Sequence, residues 1–148
     1  MKTDFILHVD DDPNDVMLVG MAFRKINAGD FLKSLGDGEE AVAYLEKARI
    51  PAEQKQHPIP GLVLLDVKMP RKSGLEVLAW IRSQPELKRM PVVMLTSSDQ
   101  PRDIAKSYEL GANSYLIKPG GLDQLVEMVR TIHLYWLKLN VQPPAGGV

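Results

Sequence analysis

Leu62-Val63-Leu64-Leu65-Asp66-Val67-Lys68-Met69-Pro70 is the stretch that decides the fold of this chain. Its apolar run is too short for a helix and has the length of a strand covered on both faces. An acid follows where that strand would end. The arrangement recurs along the chain. Phe5-Ile6-Leu7-His8-Val9 leads into Asp10 and Asp11, Val92-Val93-Met94-Leu95 into Thr96, and Tyr115-Leu116-Ile117 into Lys118 and Pro119. If these runs are parallel strands of one sheet, their terminal polar side chains emerge at one edge. That edge is where open α/β sheets bind ligands. Three carboxylates, a hydroxyl and an ammonium meeting there point to a divalent cation and a phosphoryl group.

Between the runs the spacing turns helical. Asp12-Pro13 reads as an N-cap followed by proline at the first helical position. Val16, Val19, Gly20, Phe23 and Ile26 then predict a helix over 13–27, with 27–30 as its exit. A second strand is expected at 31–35. Gly36-Asp37-Gly38 turns into a helix carrying Ala41, Val42, Leu45 and Ala48 on one face. Residues 50–61, with Pro51, Pro58 and Pro60, read as a loop, long beside the roughly 2–6 residues such connections usually take. Helices are expected at 73–83, 101–111 and 121–139. The last carries Leu122, Leu125, Val129, Ile132, Trp136 and Leu139 along one stripe, and 142–147 is expected to fray. Strands alternating with helices in this way define an α/β fold, a doubly wound five-stranded parallel sheet with five helices.

The bulk numbers narrow the function. With 148 residues the expectation is a single domain over 1–140 and a short tail at 141–148, with no output domain. A net charge of −1 marks no nucleic-acid partner. There is no cysteine, hence no disulfide or thiol chemistry, which fits the cytoplasm. No run approaches the ~20 apolar residues of a membrane helix. A five-residue apolar run that ends in three aspartates is not a secretory signal.

The terminal acids carry the chemistry. Carboxylates held close together repel, and a proton or a cation must relieve them. Mg2+ takes oxygen ligands in an octahedron and keeps several waters. Asp10, Asp11 and Asp66 would supply a half-empty shell that leaves room for a phosphoryl oxygen. Asp66 would then attack phosphorus to form an acyl phosphate. Lys118 is placed to pair with another phosphoryl oxygen, and Thr96 to donate a hydrogen bond worth about 1.5–3 kcal/mol. Each residue alone has a plainer reading as a helix cap, a strand-end hydroxyl or a surface charge. Asp12 already serves as the cap, which leaves Asp10 and Asp11 unexplained. The ordered combination is what carries information.

That combination resembles the receiver domain of two-component response regulators. The resemblance rests on Val9-Asp10-Asp11, on Leu65-Asp66-Val67-Lys68-Met69-Pro70 with Gly74 eight positions after Asp66, on Leu95-Thr96-Ser97 and on Tyr115-Leu116-Ile117-Lys118-Pro119. It covers about residues 4–135 and implies the flavodoxin-like strand order 2-1-3-4-5. It also implies that Asp66 is the phospho-acceptor, charged from a phosphohistidine on a partner histidine kinase. Asp10 and Asp11 match the metal-binding pair, and Lys68 would offer its backbone carbonyl to Mg2+. Thr96 matches the switch hydroxyl, Tyr115 the switch aromatic and Lys118 the motif lysine. On phosphorylation Thr96 would move toward the phosphoryl group and Tyr115 would turn inward. The Lys118–Pro119 bond is expected to be cis.

Four positions depart from the pattern. Ser97 replaces the more usual alanine, Lys68 places a long cation beside the acceptor, and Gly120-Gly121 loosens the entry to the last helix. The 50–61 loop and the Tyr135-Trp136-Leu137 run also resemble the small receivers associated with phytochrome-type histidine kinases. The expected output is a protein contact: a kinase, an unknown downstream protein or a second copy of the chain. The wide apolar last helix, with Leu134, Tyr135, Trp136 and Leu137, fits either core packing or a dimer surface. Two rival functions use similar residues. A phosphatase of the haloacid dehalogenase type needs an acid two positions after its nucleophile, where this chain has Lys68. A pseudo-receiver would not be expected to keep the complete set of site residues.

Overall fold

The computed structural model describes residues 4–144. Four of its strands grow from the apolar runs: β1 Ile6–Val9, β3 Leu62–Leu65, β4 Val92–Thr96 and β5 Ser114–Ile117. The second strand, β2 Leu32–Leu35, is a half-buried edge. All pair in parallel, in the order β2-β1-β3-β4-β5. This is the flavodoxin-like order expected from the resemblance. Its direction reverses between β1 and β3, which opens the binding crevice at their C-terminal ends.

The helices are α1 Pro13–Lys25, α2 Gly38–Ala48, α3 Gly74–Ser83, α4 Pro101–Glu109 and α5 Leu122–His133. Strand side chains alternate between the two faces. Ile6, Leu62, Leu64, Val93 and Leu95 pack under α1 and α5 with Val19, Phe23, Leu125, Val129 and Ile132. Leu7, Val9, Val63, Leu65, Val92 and Met94 pack under α2 and α3 with Ala41, Leu45, Val77, Leu78 and Ile81. Both faces of β1, β3 and β4 are therefore dry, as their unbroken apolar sequences require. Helix α4 lies more openly and buries only Ser107.

Local chemistry sets the boundaries. Asp12 caps α1 by accepting from the Asn14 amide, and Asn27 leaves that helix in the left-handed region at φ 58°. Ser73 and Glu76 form a reciprocal capping box on α3. Arg82, near the end of α3, donates to the carbonyls of Met90 and Gly111 and so ties the entry of β5 to α3.

Four details differ from expectation. Phe31 closes a 3-10 turn, Gly29–Phe31, instead of opening β2. A 3-10 turn, Pro51–Glu53, punctuates the 50–61 loop. The last helix is α-helical only to His133 and continues as a π-helical turn, Leu134–Leu139. The i→i+5 turn takes an extra residue, so spacing of three to four no longer holds one face. Trp136 and Leu137 pack on the core while Leu139 lies 64% exposed. The Lys118–Pro119 bond is trans, not cis; trans is the lower form even before proline, by about 0.5–1 kcal/mol. Of the tail expected to fray, residues 142–144 carry no helix or strand, though Gln142 donates to the Trp136 carbonyl. Residues 145–147 lie outside the described residues.

Candidate functional site

The sheet ladder continues one residue beyond the strands and aims the acids. The Asp66 amide donates to the Val9 carbonyl at 3.1 Å, the Asp10 amide to Leu35 at 3.2 Å and the Lys118 amide to Thr96 at 2.8 Å. Asp10, Asp11 and Asp66 thus converge, each placing a carboxylate oxygen within 4.8 Å of the others. Lys118 comes from the far side of the crevice. Its Nζ donates to Asp10 Oδ2 at 2.7 Å, Asp15 Oδ2 at 2.7 Å and Asp66 Oδ2 at 3.2 Å. Around them opens a cleft of about 670 Å3, lined in part by Asp11, Asp66, Thr96 and Lys118.

Burial varies steeply across the cluster. Asp10 is fully covered while Asp11 is exposed. Burial pushes the Asp10 carboxyl up to about 6, against the pull of Lys118 and of the Asp12 amide. Burial alone would lower the Lys118 ammonium, but its bonds to Asp10 and Asp15 and the charge of Asp66 outweigh that and hold it above its ordinary value. Beneath them His8 is 1% exposed, and burial, with Lys118 nearby, lowers its imidazole to about 4. The 3.8 Å approach of its Nε2 to Asp10 is therefore a contact of a neutral ring.

The loop after Asp66 is shaped by Gly74. A Cβ there would stand 1.8 Å from the Asp66 carbonyl oxygen, and the Gly74 amide donates to Val67 at 2.8 Å. Only glycine lets the start of α3 lie against the backbone of Asp66. The Lys68 ammonium is exposed and lies 4.0 Å from Asp103 Oδ2. Thr96 is 1% exposed and its Oγ1 accepts from the Ser98 amide. Tyr115 is half-buried, and its hydroxyl donates to the Ser98 carbonyl at 2.8 Å. Burial raises its phenol above the ordinary value.

The structure therefore gathers Asp10, Asp11, Asp66 and Lys118 into one cluster. Thr96 lines the same cleft, and Tyr115 reaches it only through the β4–α4 loop. Asp15 belongs to the cluster and was not singled out by the sequence. Its position, three after the Asp12 cap, is one where an acid already helps a helix start, so nothing marked it.

Three hard oxygen donors around a gap suit a cation such as Mg2+, with room left for water. The charge balance argues the same way, since among the described residues Lys118 is the only lysine or arginine in ion-pair distance of this group of four carboxylates.

Comparison with known proteins agrees with this geometry. Residues 6–130 match the family model of the response regulator receiver domain, and the chain belongs to that family. It is 41% identical over 140 residues to response regulator Rcp1 of Synechocystis sp., spanning 95% of this chain and 93% of that protein. The structure of a phosphorylated cyanobacterial phytochrome response regulator, RcpA, superposes with a TM-score of 0.84 at 37% identity, over 96% of this chain and 99% of that one. The Mn(2+)-bound form of Rcp1 gives a TM-score of 0.79 at 39% identity, over 95% and 99%. The chain is thus a two-component signalling receiver that works through phosphorylation. Among the described residues no helix is long and apolar enough to cross a membrane.

Proposed function

We propose that Asp66 accepts a phosphoryl group from a phosphohistidine on a sensor histidine kinase, with Mg2+ bound by Asp10, Asp11, Asp66 and the Lys68 carbonyl. The observation that carries this reading is the convergence of Lys118 Nζ on Asp10 and Asp66 at the open end of the sheet. A carboxylate oxygen of Asp66 attacks phosphorus. The P–N bond to the histidine breaks, its electron pair stays on the imidazole nitrogen, and that nitrogen takes up a proton. Lys118 offsets the charge gathering on the phosphoryl oxygens, and Thr96 donates to one of them. Mg2+ held by these residues would supply further charge neutralisation during the transfer.

The new group adds roughly −1.5 to −2 charge. Moving a two-state switch from 1:99 to 99:1 takes about 5.5 kcal/mol, more than one hydroxyl supplies. Lys118, the cation site, Thr96 and the repacking of Tyr115 act together. The likeness to a phytochrome response regulator over nearly the whole chain supports a phytochrome-type kinase as donor. The output is a protein contact made in the cytoplasm. The exposed Leu134, Tyr135 and Leu139 suit a second copy of the chain.

The test is incubation with acetyl phosphate and Mg2+. One alkali-labile phosphate per chain, absent in Asp66→Asn, is expected. Continuous phosphate release from generic esters would mean a phosphatase, and no label would mean a binding module.

A further inference from the structure

An ammonium has three N–H donors and no acceptor. In Lys118 all three are occupied, by Asp10 at 2.7 Å, Asp15 at 2.7 Å and Asp66 at 3.2 Å. A phosphoryl oxygen arriving at Asp66 gains a Lys118 donor only if one of these bonds opens. The three differ in what opening costs. Asp10 has no exposed surface, and a buried carboxylate stripped of its donor is strongly penalised. The Asp66 bond is the longest of the three, and the donor it occupies cannot follow the phosphoryl oxygens outward while Asp10 and Asp15 both anchor the nitrogen. Asp15 is the remaining partner, and its side chain is 28% exposed, so water can replace the lysine. It also sits in the first turn of α1, where the free N–H groups favour a negative charge whether or not Lys118 is attached.

We infer that Asp15 is a latch: a positioning residue that holds Lys118 in its resting place and whose release delivers the ammonium to the phosphoryl group. This rests on the reading of Asp66 as acceptor. Asp15 touches neither phosphorus nor the donor and acts only through Lys118. It links α1 to the β5–α5 connection in the resting state, so the first turn of α1 is freed as the switch fires.

The experiment compares initial labelling rates with acetyl phosphate at saturating Mg2+. Asp15→Asn is expected to accelerate labelling about fivefold, the scale of an ion pair with one partly exposed partner. Asp12→Asn is the control. It removes the same charge from the same cleft, does not touch Lys118, and keeps an equally good helix cap. It should change the rate by less than about twofold. Asp15→Glu should restore the wild-type rate. In a Lys118→Met background the Asp15→Asn change should have no effect. Equal acceleration by Asp12→Asn, or an undiminished Asp15→Asn effect without the lysine, would mean through-space charge and overturn the latch. So would an unchanged or slower rate in a variant that melts like wild type. If the wild type itself takes no label, the Asp66 reading fails separately. The latch is then read by NMR from the Lys118 ammonium protons, whose exchange with water must quicken in Asp15→Asn. Unchanged exchange would refute it.

Discussion

The acid–lysine cluster and the Thr96–Tyr115 pair share one edge of the sheet but belong to opposite faces of it. By strand alternation Asp10, Asp66 and Lys118 continue the side of Ile6, Leu64 and Leu116, under α1 and α5. Thr96 and Tyr115 continue the side of Met94, toward α3 and α4. The first group is held tightly. Asp10 is fully covered, three bonds saturate Lys118, and Gly74 presses against the Asp66 backbone. In the second group Thr96 is buried at the end of β4, but Tyr115 and its surroundings are held loosely. Tyr115 is half-buried with one hydrogen bond, β5 is nowhere fully buried, and α4 covers little more than Ser107. Chemistry that needs fixed atoms sits where displacement is expensive. Under the proposed function the response would sit where few buried contacts oppose it, as low local stability allows.

The strongest test of that contrast is Gly74→Ala. The added methyl would meet the Asp66 carbonyl at 1.8 Å, with Asp66 C at 2.8 Å and Val67 Cα at 3.1 Å behind it. These are backbone atoms and cannot rotate away. A loss of about 3 kcal/mol in chemical denaturation is expected, together with a large drop in Asp66 labelling. Wild-type stability in this variant would show that the acid side yields as easily as the other.

A smaller effect, on the α2 side of the scaffold, depends on pH. The Tyr44 hydroxyl donates to the Pro58 carbonyl at 2.7 Å and straps the 50–61 loop to α2. Burial pushes its phenol from 10.0 up to about 12. The unfolded chain therefore loses this proton before the folded one does. The stabilisation is complete below the unfolded value of 10.0 and is lost as pH rises toward about 12. At about 1.36 kcal/mol per unit, the loss across that window is on the order of 2–3 kcal/mol. Tyr44→Phe should be less stable at neutral pH by about 1 kcal/mol yet lack this alkaline decline. Urea midpoints measured at both ends of the window check it, and a parallel decline in the variant would assign it elsewhere.

The same contrast explains what the sequence could and could not disclose. A strand buried on both faces needs an unbroken apolar run, so β1, β3 and β4 stood out, and with them the edge carrying Asp10, Asp66 and Thr96. The edge strand β2, Leu32-Lys33-Ser34-Leu35, has no such demand on it, and its start was misplaced onto Phe31. The stretch from Leu134 to Leu139 reads as ordinary helix because a π turn has no compositional signature. Asp15 was hidden for a different reason. Its role as a partner of Lys118 is a contact across 103 positions, and no local pattern encodes it. His8 was hidden inside an apolar run, where a neutral, buried imidazole looks like any strand residue.

Tyr115→Phe should give the smallest effect and the sharpest division between the two faces. It removes one hydroxyl, whose bond to Ser98 is the only side-chain hydrogen bond of the ring among the described residues. Ser98 is a partly exposed residue, so water should reach the carbonyl left behind and the cost should fall near the low end of about 0.5–1.5 kcal/mol. The denaturation midpoint should hardly move, and Asp66 should label at the wild-type rate because no atom of the acid cluster is disturbed. Amide hydrogen exchange should nevertheless quicken across 97–100, the segment that the hydroxyl fastens to β5. The amides of Asp66 and Lys118, which extend the sheet ladder on the tightly held face, should keep their protection. If exchange quickens equally on both sides, the two groups form one cooperative unit. The looseness of the Tyr115 side would then be a surface feature and not the freedom that the proposed switch requires.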